Sequence, residues 1–118
     1  LKKHRSKIEG KVCLEAGAGK GLFTREMASM GARKVYAVER SDILYGLLNE
    51  NVSDISKIVT TQEGIEFFEP PEPIDLLFHE FYGSLILDES ILALRQLKFK
   101  PETILPDGGR LWCMPIME

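Results

Sequence analysis

Two stretches carry side chains whose type and spacing could do chemistry. The first is Glu15-Ala16-Gly17-Ala18-Gly19-Lys20-Gly21, an acidic residue followed by glycines at alternate positions. Glycine is needed where the backbone turns with positive φ or meets a ligand without a Cβ in the way. The second runs Glu80-Phe81-Tyr82-Gly83-Ser84-Leu85-Ile86-Leu87-Asp88-Glu89, with its two glutamates nine residues apart. Paired carboxylates can raise one another's pKa for acid–base work. They can instead grip one extended cation, because guanidinium is planar, always charged and offers five N–H donors. Asp88-Glu89-Ser90 also fits a plain acidic first turn of a helix, favoured by the helix dipole. Spacing alone leaves all three open.

The elements that must position these residues can be read from apolar periodicity. Residues 11–16 read as a buried strand and 20–30 as a helix, with Phe23, Met27 and Met30 at i, i+4 and i+7 and Leu22 beside them. Gly31 is the expected C′ residue of that helix. A second strand spans 34–39. Ser41-Asp42 then supply an N-cap for a helix over 42–50, with Ile43, Leu44, Leu47 and Leu48 on one side. Ile58-Val59-Thr60 is a short third strand, and Pro70, Pro71 and Pro73 mark an irregular connection. Residues 74–78 form a fourth strand, and a helix around 87–97 follows the Glu80 loop. Pro101, Pro106 and Gly108-Gly109 belong to the next connection, before a fifth strand over 110–115.

Strands alternating with helices predict an α/β, Rossmann-like, mainly parallel sheet with flanking helices and right-handed crossovers. Ligands of such sheets sit beyond the carboxyl ends of the strands. The glycine loop, Glu39 and Glu80 each follow a predicted strand, so all three belong to one rim.

Bulk properties limit the remaining possibilities. The 118 residues make one domain, and 44% apolar with 28% charged residues is an ordinary globular balance. A formal net charge of −3 gives no overall electrostatic footprint for nucleic acid, and none is expected as a partner. The basic run Lys2, Lys3, His4, Arg5 and Lys7 reads as a solvated face or tail. No apolar stretch approaches the ~20 residues of a membrane span, so no membrane partner is expected. Cys13 and Cys113 lie 100 residues apart in apolar runs without metal-ligand spacing, and read as buried free thiols. A reducing, cytoplasmic location is expected, with the nucleus also open.

The glycine spacing discriminates between cofactors. The dinucleotide fingerprint is G-x-G-x-x-G, whereas here the glycines fall at 17, 19 and 21. Glu39 ends the second strand 18 residues after Gly21, where a carboxylate can accept from both hydroxyls of a ribose. Together they imply an adenosine-containing cofactor, and G-x-G-x-G points to S-adenosyl-L-methionine rather than NAD.

Three stretches resemble the protein arginine methyltransferases. That family's pattern runs V-L-D-x-G-x-G-T-G, A-G-A-x-K-V-x-A-V-E and S-E-W-M-G-x-x-L-x-x-E-S. The chain has Val12-Cys13-Leu14-Glu15-Ala16-Gly17-Ala18-Gly19-Lys20-Gly21, then Met30-Gly31-Ala32-Arg33-Lys34-Val35-Tyr36-Ala37-Val38-Glu39, then His79 to Ser90. The likeness extends from about residue 10 to the end, and the paired-glutamate stretch is its most specific part. By that resemblance Glu15, Gly17, Gly19, Gly21, Glu39 and Glu66 are expected to bind the cofactor. Glu80 and Glu89 would be catalytic, clamping the guanidinium of a protein or peptide arginine and turning one nitrogen toward the sulfonium methyl. Phe81 and Tyr82 stand where the pattern has Trp-Met. The resemblance further implies a single cofactor-binding domain over 1–118, cut from a longer chain, without the family's C-terminal β-barrel. A homodimer is expected only if the parent chain carries the family's dimerisation arm. Two other readings stay open: a methyltransferase acting on another amine or small molecule, and a cofactor-binding but inactive regulatory module.

Overall fold

The computed structural model describes residues 2–79 and 97–105. Among these residues five parallel strands form one sheet: β1 (Val12–Ala16), β2 (Lys34–Val38), β3 (Ile58–Thr61), β4 (Leu76–His79) and β5 (Thr103–Leu105), in the order β3-β2-β1-β4-β5. Helix α1 (Leu22–Ser29) joins β1 to β2, and α2 (Asp42–Val52) joins β2 to β3. Short 3-10 turns cover Lys2–Lys7 and Ile65–Phe67.

The core follows from strand alternation. Cys13, Val35, Leu76, Phe78 and Leu105 turn toward α1, where they pack with Met27, Ala28 and Met30. Val12, Leu14, Tyr36, Val38 and Leu77 turn to the opposite face, against Ile65, Phe68 and Ile74. Ala37 and Ala18 pack with Leu48 and Val52 of α2. Central strands buried on both faces explain why β1 reads as a nearly unbroken apolar run.

Local signals act as their chemistry requires. The Ser41 hydroxyl accepts from the Leu44 N–H at 3.3 Å, capping α2. At the end of α1, Gly31 takes φ 96°. Its N–H donates to Ala28 O, and the Ala32 N–H to Met27 O, the paired bonds of a Schellman motif. Asp75 sits just before β4; its carboxylate accepts from the Val12 N–H at 2.9 Å and so aligns the starts of β1 and β4.

The structure corrects three sequence expectations. Thr103–Leu105 is a strand rather than part of a connection, paired in register with Leu76–Phe78. Three residues flanked by Pro101 and Pro106 are too few to show a strand period, and pairing with β4 makes the strand. Leu22 is 69% exposed, because it precedes Met27 by five residues and so emerges about 140° around the helix. Ile43 stands in the same relation to Leu48 and is also exposed. The predicted helix around 87–97, the strand over 110–115, and Cys113 lie outside the described residues.

Candidate functional site

The parallel register leaves the strands' carboxyl ends flush. Thr61 aligns with Val38, Val38 with Ala16, and Ala16 with His79. The chain leaves all four strands along one edge, and strand order reverses between β1 and β4. This is the topological switch point where open α/β sheets bind ligands.

The glycine loop leaves β1 at that point. Gly17, Gly19 and Gly21 take φ of 70°, 59° and 91°, so each alternate position is left-handed, which only glycine adopts without cost. Val38 O accepts from both the Gly17 and Ala18 N–H groups, at 2.8 and 3.0 Å. The Asn51 side-chain amide of α2 donates to Lys20 O at 2.8 Å. A Cβ at Gly19 would meet nothing within 4 Å, so the loop's outer side is open. Gly21 differs: its Cβ would fall 2.8 Å from Leu48 Cδ1 and 3.2 Å from Val52 Cγ1. Gly21 is also the N-cap of α1, which has no side-chain cap, and it lets α1 begin against α2.

Glu39 follows β2 and is nearly buried, at 7% exposure. Its Oε1 accepts from the Gly19 N–H at 2.8 Å and its Oε2 from the Ser41 N–H at 3.0 Å. A carboxylate has about four lone-pair sites. Two are used here, and capacity remains for two hydroxyl donors.

Glu15 points to the α1 side of the sheet and is 1% exposed; the Thr24 hydroxyl donates to its Oε1 at 2.5 Å. The structure therefore sets Glu15 beneath the loop rather than on its open side. Glu66 lies in the turn after β3 and folds back, its Oε1 2.6 Å from where a Cβ of Gly64 would be. The loop, Glu15 and Glu39 are thus one connected unit, and Glu66 stands on the same edge. Glu80 and Glu89 lie outside the described residues.

Two contributors escaped the sequence reading. Asn51 gives no signal in an exposed helical turn. Thr24 does give one: it is a polar residue on the stripe that buries Met27 and Ala28.

An uncapped helix start, a left-handed glycine loop and a carboxylate closing the second strand define a class I methyltransferase core. No protein-family model matches the chain. By sequence it is 39% identical over 124 residues to protein arginine N-methyltransferase 6 of Danio rerio, covering 97% of this chain and 35% of that protein. It is 35% identical over 118 residues to protein arginine N-methyltransferase PRMT10 of Arabidopsis thaliana, covering 92% of this chain and 30% of that one. Among solved structures, the Trypanosoma brucei PRMT1 enzyme–prozyme heterotetramer with AdoHcy superposes with a TM-score of 0.72 at 26% identity, over 87% of this chain and 35% of that chain. Arabidopsis thaliana protein arginine methyltransferase 10 superposes with a TM-score of 0.67 at 28% identity, over 82% of this chain and 30% of that chain. Over nearly its whole length the chain is thus similar to protein arginine N-methyltransferases. It spans about a third of the length of the curated relatives it matches.

Proposed function

We propose that this chain is the S-adenosyl-L-methionine-binding part of a protein arginine N-methyltransferase. The observation that carries this is the bond from the Gly19 N–H to Glu39, which joins loop and carboxylate into one preformed cradle. The cradle's chemistry fits the cofactor. The open side of Gly19 admits close backbone approach, and the free lone pairs of Glu39 suit ribose hydroxyls. The cofactor, when bound, supplies an electrophilic methyl group on a sulfonium.

The residues of the chain bind and orient. Gly17, Gly19 and Gly21 shape the loop, Glu39 takes the ribose, and Glu66 is assigned to the adenine side. In this proposal Glu80 and Glu89 grip the substrate guanidinium and hold one nitrogen in line for direct displacement, where positioning supplies most of the barrier reduction. Their carboxylates would also keep the guanidinium charge away from the reacting nitrogen. The substrate is a protein or peptide arginine, and the location is a reducing, cytoplasmic compartment, supported by the buried free thiol of Cys13.

The test uses the full-length parent protein. Calorimetry should register S-adenosylmethionine and not NAD; tight NAD binding without the former would overturn the cofactor assignment. Glu80→Gln should abolish methyl transfer to an arginine peptide while sparing cofactor binding. Unchanged turnover in that variant would rule out the clamp, and cofactor binding without transfer in the wild type would favour a regulatory module.

A further inference from the structure

Thr24 is 0% exposed, and its hydroxyl bond to Glu15 connects two places that the chain separates. Glu15 is in β1, two residues before Gly17, and Thr24 is in the first turn of α1, three residues after Gly21. The bond therefore ties the two stems of the glycine loop together from below. The other ties come from the sides: Val38 O and Glu39 from β2 and its end, and Asn51 from α2.

The chemistry gives this tie weight. In the sheet, Glu15 stands in register with Ala37 and Phe78, which offer no polar side chains, so the Thr24 hydroxyl approaches from the helix layer. A separation of 2.5 Å falls in the range of hydroxyl–carboxylate bonds, which are about twice as strong as neutral ones. Removing the hydroxyl takes away a hydrogen bond to a side chain that is 1% exposed, where a lost bond is costly. The family pattern has aspartate at this position. The extra methylene of Glu15 carries the carboxylate one carbon–carbon bond further toward α1.

We propose that Thr24 is a positioning residue: by holding Glu15 beneath the loop, it keeps Gly17, Gly19 and Gly21 in the left-handed geometry that receives the cofactor. The effect on the loop stands without the cofactor assignment, whereas the effect on binding rests on it.

Amide hydrogen exchange on the ligand-free, full-length protein tests the first part. In Thr24→Val, the Gly17, Ala18 and Gly21 amides should exchange about tenfold faster, a loss of ~1.4 kcal/mol of local protection. The sheet amides of Val35 and Phe78 should stay unchanged, and Thr24→Ser should restore the loop. Loop amides that stay protected, or that rise together with the sheet, would overturn the proposal. If the valine variant does not fold, Thr24→Cys, a weaker donor, should give an intermediate loop rate, and a wild-type rate there would equally overturn it.

Calorimetry tests the second part with S-adenosylmethionine and 5′-methylthioadenosine, which lacks the aminobutyrate chain that, in this proposal, the loop receives. Thr24→Val should weaken the first about tenfold more than the second. Equal losses for both would overturn the positioning of the loop for the cofactor. Faster loop exchange in the variant, with a wild-type protein that binds no S-adenosylmethionine, would sink the cofactor reading and leave the loop tie standing.

Discussion

Glu39 and Gly19 are 20 residues apart in the chain, yet the Gly19 N–H donates to Glu39 Oε1 at 2.8 Å. The residue assigned to the ribose is thus also part of the loop's own support, and the Ser41 N–H holds its second oxygen, at 3.0 Å. Loop, strand end and helix start are braced by one carboxylate.

Glu39→Gln keeps the shape but replaces one acceptor with an NH2 group facing a backbone N–H. A hydrogen bond to a charged group contributes about 1.5–3 kcal/mol. The variant should bind S-adenosylmethionine at least about tenfold more weakly by calorimetry. Wild-type affinity would show that the carboxylate is not needed at the cradle.

Gly21 and Gly46 should respond to alanine in opposite directions. At Gly21 the left-handed backbone and the crowding by Leu48 Cδ1 at 2.8 Å both oppose a Cβ, so Gly21→Ala should cost about 1–3 kcal/mol. Gly46 lies inside α2 with nothing within 4 Å of its Cβ position, so Gly46→Ala should stabilise by about 0.4–1 kcal/mol. Urea denaturation of both variants checks the contrast.

Alkaline pH should destabilise the fold through Cys13. Burial first, then the charge of Asp75, pushes its thiol from 9.0 up to about 12, with Lys57 opposing. The folded state holds this proton more tightly than the unfolded one. The contribution is therefore complete below pH 9 and is lost as pH rises through about 12, by at most about 1.4 kcal/mol per unit. Tyr36 acts in the same direction: burial, then its hydrogen bond to Glu72, raises it from 10.0 to about 12. Denaturation curves from pH 8 upward should show a shallower decline in Cys13→Ala than in the wild type.

The same burial should keep Cys13 unreactive. The thiolate is the nucleophile, and this side chain is 0% exposed. Iodoacetamide at pH 8 should label Cys13 only after unfolding; rapid labelling of the native protein, read by mass spectrometry, would contradict its placement.

The sequence by itself determined the order of the strands and α-helices through β4, the parallel α/β class, and the position of the glycine loop after β1. Those features rest on local causes: apolar runs for strands buried on both faces, Ser41 as a cap, and glycines where φ is positive. The family resemblance was legible too, because the motifs are contiguous and keep their spacing. Tertiary structure decided the rest. Thr103–Leu105 becomes a strand only by pairing with β4, and Leu22 and Ile43 face outward because helix rotation, not hydropathy, sets exposure. Most of all, the glycines identify a loop but not what holds it. Its supports, Glu39 at Gly19 and Thr24 at Glu15, come from residues 20 and nine positions distant, which meet only once the sheet and helix have packed.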